Sequence, residues 1–259
     1  MNSARKQKKR SPLKQKPLRN PGESLHEETQ RFIDDRLLPP LIMAVFAVSF
    51  AAYEWWRWLT STPPRPVIVT LTAALIVAYA AYKTVHLRPR LKSMRLGLEG
   101  EKAVGQSLEA LRSQGCRVFH DILAEGFNID HVVIGPKGVF AIETKTFSKP
   151  ARGETVAKYD GDKILFNGLK PDRNPVTQAR AVRSWVSDFL FKTTARRWPV
   201  RGVVILPGWF VERLPEAKRS DVWVLNEKAL PSFVEHEPVV LKKEDIALAS
   251  SRLEDHITG

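Results

Sequence analysis

Two stretches of this 259-residue chain show no polar face, and they restrict what its N-terminal third can become. Residues 37–53, "LLPPLIMAVFAVSFAAY", are apolar apart from one Ser, and residues 66–82, "PVIVTLTAALIVAYAAY", carry only two Thr and two Tyr as polar groups. Each lies at the short end of the ~17–25 residues that cross a bilayer. Trp and Tyr at their ends suit the headgroup level, where amphipathic rings collect. A helical hairpin buried in a soluble core would be the alternative, but such helices ordinarily keep one polar side. A cleaved signal peptide is disfavoured by the long basic region before the first run and by the second run after it. The sequence therefore predicts two transmembrane helices, at about 37–58 and 66–82, joined by the Pro-rich loop "RWLTSTPPRP".

Charge sets the orientation. The net charge is +13, and residues 1–20 hold eight Lys or Arg and no acid. Lys83, Arg88, Arg90, Lys92 and Arg95 follow the second run, whereas the connecting loop has only Arg57 and Arg65. Excess Lys and Arg stay on the cytoplasmic side. Both termini are then cytoplasmic, in an integral membrane protein. Residues 1–36 read as a basic disordered arm, set against anionic lipid or nucleic acid, and residues 83–95 as a basic linker.

Residues 96–259 read as one α/β domain, with a helix over "LGLEGEKAVGQSLEALRSQG" closed by Gly115. "CRVFHDIL" is a strand, "IDHVVIGPKGVFAIETK" (129–145) a β-hairpin, and "GETVAKYDGDKILFNG" a peripheral hairpin around Asp160-Gly161. Asn174 caps a helix with Pro175 at its first position. Two buried strands and a final helix follow. Cys116 is the only cysteine, so neither a disulfide framework nor a thiolate zinc site is available. The six His show no i, i+4 ligand pair, so a bound metal would be a hard cation with oxygen ligands.

The hairpin supplies such oxygens. Whether its loop is Pro136-Lys137 or residues 135–138, paired numbers sum to 273, which sets Asp130 opposite Glu143. Like charges in that position destabilise a sheet unless something positive lies between them. Alternation puts Lys145 on the same face as Glu143, and the Thr144 carbonyl is at the same edge. Two carboxylates and a carbonyl suit Mg²⁺, which keeps several waters, with Lys145 placed to orient one. Glu101 continues the stripe Val104, Leu108, Leu111 toward its helix N-terminus; Gln178 heads the stripe Val182, Trp185, Phe189. Both are expected to converge on the carboxylates. Each residue alone has a plain structural explanation; the combination is what carries the signal.

These residues resemble a known family. Asp130 followed by Glu143-Thr144-Lys145 is similar to the D…(D/E)xK signature of restriction-endonuclease-like nucleases. More narrowly, "GLEGE" (97–101), "NIDHVVIGPKGVFAIETKTF" (128–147) and "NPVTQA" (174–179) resemble the nuclease-related domain, NERD, over about residues 95–190. Thr146 stands where relatives often carry Asn. The resemblance implies an αβββαβ core with a mixed central sheet, and Mg²⁺-dependent cleavage of nucleic-acid phosphodiesters, Mn²⁺ being able to replace Mg²⁺. It implies Asp130, Glu143 and the Thr144 carbonyl as metal ligands, Glu101 as a ligand or as orienting a metal or water, Lys145 as activating or positioning the attacking water, and Gln178 as facing the substrate or Lys145. Arg180 and Arg183, off the apolar stripe, are candidate phosphate contacts. The expected protein is a membrane-anchored nuclease acting on DNA in preference to RNA; cutting both strands would need two sites, as in a homodimer. A non-catalytic nucleic-acid-binding module and a membrane protein-interaction domain are the alternatives.

Overall fold

The computed structural model describes residues 18–61, 66–149 and 155–259, so the first part of the basic arm and the loop tip at 62–65 lie outside it. The chain divides into two compact units, each described by itself.

The smaller unit comprises residues 22–102 and 146–148. Helix α1 (Glu23–Phe32) passes through a π-helical turn at Ile33–Leu37 into α2 (Leu38–Leu59). Residues 23–36 are therefore helical, not part of a disordered arm. Helix α3 runs from Pro66 to Glu109 and absorbs the expected 83–95 linker. An established helix adds residues without paying for a new nucleus, and Pro89 is carried inside it although it cannot donate to the ladder. The stretches Glu23–Leu59 and Val67–Gln114 each contain a segment long and apolar enough to cross a membrane. Their apolar side chains point outward: Phe46 is 72% exposed and Leu75 73%. Across the pair, Trp55 Nε1 donates to Thr70 Oγ1 at 3.2 Å. Gly100 is a site of close approach. A Cβ there would overlap the Thr146 hydroxyl and come within 2.9 Å of its Cβ.

The larger unit holds residues up to 21, 103–145 and 149–259. Its central sheet contains β1 (Arg117–Ala124), β2 (Phe127–Gly135), β3 (Gly138–Thr144), β6 (Val200–Ile205) and β8 (Val222–Leu225), in the order β1-β2-β3-β6-β8. The first three strands are antiparallel, and β6 and β8 join in parallel, so the sheet is mixed. With the end of α3 and helix α4 (Pro175–Thr194), this is the expected αβββαβ arrangement. Every residue of β3 is buried, as a central strand covered on both faces requires.

One face packs Val132, Ile134, Val139 and Ala141 against α4 and α6 (Lys243–Thr258). The other packs Val133, Phe140 and Ile142 against Val104 and Leu108 of α3 and Leu111 of the 3-10 turn that follows it, with Leu230 and Val234 of α5 (Leu230–Glu235). Gly115, at φ 80°, closes the α3 end. The peripheral hairpin forms as β4 (Val156–Tyr159) and β5 (Ile164–Phe166), joined by β7 (Phe210–Arg213) in a second, three-stranded sheet. Residues 195–259 thus supply two strands of the central sheet, one edge strand of the small sheet and two covering helices.

Candidate active site

The hairpin has the register read from its sequence. Gly135 pairs with Gly138 and His131 with Ile142, every pair summing to 273 around a Pro136-Lys137 loop. Gly138 sits at φ 127°, a backbone state that suits glycine. Beyond the last ladder pair, the Thr144 backbone N–H donates to Asp130 Oδ2 at 2.6 Å. That bond ties the Asp130 carboxylate to the C-terminal end of β3. Glu143 is 3% exposed, and Lys145 Nζ reaches its Oε1 at 2.7 Å. Burial pushes the Glu143 carboxyl above its usual range, and Lys145 offsets this only in part. Lys145 is anchored by its backbone N–H, which donates to Ile205 O on β6 at 2.9 Å. The expected cation is present, and it lies on Glu143.

Helix α4 starts as its sequence indicates: Asn174 Oδ1 accepts from the Val176 N–H at 3.1 Å, with Pro175 following the cap. Its buried stripe is Val176, Ala179, Val182, Val186 and Leu190; Trp185 and Phe189 pack at the margin of that stripe. The helix approaches the sheet closely, since a Cβ at Gly202 would stand 3.1 Å from Ala179 O. Gln178 Oε1 is buried without a hydrogen-bond partner, an unusual state for an amide oxygen.

Arg180 and Arg183 take a different place from the one expected. Arg180 donates to Asp221 Oδ1 at 3.0 Å and to Asp162 Oδ1 at 2.6 Å, and Arg183 donates to Asp221 Oδ2. These guanidiniums tie α4 to the β4–β5 turn and to the start of β8 instead of standing open for phosphates. The reason is Asp221, far off in sequence and brought alongside by the parallel β6–β8 pairing. Glu101 belongs to the smaller unit, where a Cβ on Gly22, at the start of α1, would lie 3.2 Å from its Oε2. A carboxylate there complements a helix N-terminus. Finally, among the described residues no group of three or more His, Cys, Asp or Glu is arranged to hold a metal ion. The acids brought together are Asp130 and Glu143, with Lys145 and the Thr144 backbone.

Two features were not anticipated. The β1–β2 register runs His120↔His131 and Ile122↔Ile129 and skips the step between, Asp121 opposite Asp130. Asp121 takes φ 50° and turns to an ion pair with Arg19. Two facing carboxylates repel, so the strand yields at that residue. The second feature is a chain of contacts from two buried histidines out to a half-exposed carboxylate. His120 Nδ1 and His131 Nδ1 are 2.9 Å apart, and His120 Nε2 lies 2.9 Å from Glu109 Oε1. Burial, with His120 adding a smaller effect, lowers the His131 pKa to about 3.

Residues 96–207 match the family profile described as the nuclease-related domain. This segment is a nuclease-related domain. The placement is consistent with the restriction-endonuclease-like PD-(D/E)xK superfamily. No curated protein and no solved structure matches the chain. The nuclease-related domain spans the end of α3 through the turn after β6. Asp130, Glu143, Lys145 and Gln178 all lie within it, whereas Asp221, which holds Arg180 and Arg183, lies beyond its end.

Proposed function

We propose that the chain is a membrane-anchored, Mg²⁺-dependent nuclease that hydrolyses nucleic-acid phosphodiesters, with DNA as its substrate. The observation that carries this reading is the convergence on the end of β3 of Asp130, which accepts from the Thr144 N–H, and a nearly fully buried Glu143, whose burial Lys145 only partly offsets. Keeping a carboxylate there costs stability, and a cation coordinated by both acids would repay it.

The donor set fits a hard divalent ion: two carboxylates, with the Thr144 carbonyl at the same strand end. Mg²⁺, or Mn²⁺ in its place, supplies Lewis-acid polarisation of the phosphate and a lowered pKa for water when bound. Asp130 is held in place by the Thr144 N–H and Glu143 by its position in β3. Lys145 Nζ, a donor 31% exposed at the side chain, is placed to orient a water or to meet charge developing on the phosphate. The Gln178 amide, its oxygen without a partner, is assigned to the substrate side. The two apolar helices serve as the anchor, with the domain and both termini cytoplasmic and the basic arm against anionic lipid. A homodimer would supply the second site for cutting both strands.

The test is cleavage by the full chain in detergent or vesicles, on plasmid DNA, linear DNA and RNA, with Mg²⁺, Mn²⁺ or EDTA. Wild type and Lys145→Ala are run together. Metal-dependent cleavage lost in the variant is the expected result. Equal cleavage by both would remove Lys145 from the mechanism. Retention of DNA with no cleavage by either would make the domain a binding module.

A further inference from the structure

The smaller unit contains a cavity of about 340 Å³ at the end of the helical pair remote from Trp55, Trp56 and Trp58. It is lined by Arg36 of the π-helical turn, Pro39 and Pro40 at the start of α2, Tyr79 and Lys83 of α3, and Asp35. Three observations bear on its ligand. First, depth: from Pro39 to Trp56 the helix rises ~25 Å, close to the ~30 Å of a hydrocarbon core, so cavity and tryptophans lie at opposite interfaces. Second, unneutralised charge: among the described residues neither Arg36 nor Lys83 has a carboxylate within ion-pair distance, whereas Arg57 on the same pair of helices is held by Glu54 at 3.1 Å. Lys83 instead stands 5.8 Å from the centre of the Tyr79 ring. Third, the walls: outward-facing apolar side chains such as Met43 and Leu75 run away from this mouth along the helices, as acyl chains would.

The geometry points to a binding site for the phosphate headgroup of an anionic glycerophospholipid, held by Arg36 and Lys83 with Tyr79 alongside and its acyl chains on α2 and α3. This rests on α2 and α3 being membrane spans. Arg36 offers a two-pronged donor for phosphate oxygens and Lys83 a point charge. Asp35 leaves the cavity one positive charge in excess, which selects a singly anionic headgroup over a zwitterionic one. The site is distinct from the carboxylate pair in the larger unit.

The test uses the full chain in a mild detergent, titrated with phosphatidylglycerol or phosphatidylcholine and read by native mass spectrometry for retained lipid. Each cation near a membrane surface is worth about a fivefold preference for anionic lipid. With one positive charge in excess, wild type is therefore expected to favour phosphatidylglycerol by about fivefold. Arg36→Gln with Lys83→Gln should abolish that preference. The charge-matched pair Arg88→Gln with Lys92→Gln, further along α3, should keep it. Equal retention of both lipids by wild type, or equal loss in both double variants, would overturn the site. Displacement of the lipid by millimolar glycerol phosphate would also overturn it, by making the ligand a free phosphoester. Alkaline carbonate extraction of cell membranes tests the anchor separately. A chain that resists extraction but shows no lipid preference loses only the headgroup site; a chain that is extracted loses the spans.

Discussion

Asp130 and His131 are neighbours on one strand, and each opens a buried polar cluster of a different kind. On one side, Asp130 and Glu143 keep carboxylates at the end of β3, with burial raising the Glu143 pKa despite Lys145. On the other, His131 and His120 share a hydrogen bond through Nδ1, burial lowers both pKa values, and Glu109 meets His120 Nε2, while His131 Nε2 stays buried without a partner. The imidazoles answer burial by becoming neutral, which is the inexpensive solution. Glu143 is pushed the same way, toward its neutral form, yet it sits on Lys145, so its charged form is held there at a cost. A fold gains nothing from that unless a ligand repays it, and this asymmetry separates the site from the scaffold.

The largest effect expected is on turnover. Lys145→Ala should lower cleavage by about 10²- to 10⁴-fold, while His131→Gln leaves it within a few-fold, in a single-turnover assay of the full chain. A comparable loss in His131→Gln would break the division between site and scaffold.

Acid stability comes next. His131 binds its proton only near pH 3 when folded, against about 6.5 when unfolded, so the unfolded chain takes up protons first. Stability is full above pH 6.5 and is lost progressively as pH falls toward 3. Thermal melts across that range should flatten in His131→Gln.

Glu143 has the opposite sign. Its folded pKa is raised, so the folded chain binds the proton more readily, and stability falls as pH rises from about 4.5 through the raised value. Glu143→Gln should therefore raise the melting temperature at pH 8, by roughly 1–2 kcal/mol of stability, while abolishing cleavage. Arg180→Ala, which breaks partly exposed pairs to Asp162 and Asp221, should cost only about 1 kcal/mol and leave cleavage nearly unchanged.

The hairpin was legible in the sequence because a two-residue loop and strict alternation fix a register, and that register sets Asp130 near Glu143. The α4 cap was legible for a similar reason: Asn174-Pro175 is a local signal. What escaped was non-local. Nothing near Arg180 announces Asp221, and no local rule predicts that Asp121 leaves the ladder to meet Arg19. The charges of residues 83–95 read as a linker, yet a helix already formed runs through them. The same continuity removed the boundary expected between the second apolar run and the helix bearing Glu101. The second glycine of "GLEGE", Gly100, gained a reason only in three dimensions, where Thr146 occupies the space its side chain would need.

Metal binding tests the distinction most directly. Mn²⁺ titrated into the full chain and followed by electron paramagnetic resonance should show tight sites lost in Asp130→Asn and in Glu143→Gln, and kept in His131→Gln. Sites of equal affinity in all three variants would contradict the account, because the buried carboxylates would then be a structural ion pair like the others in the fold.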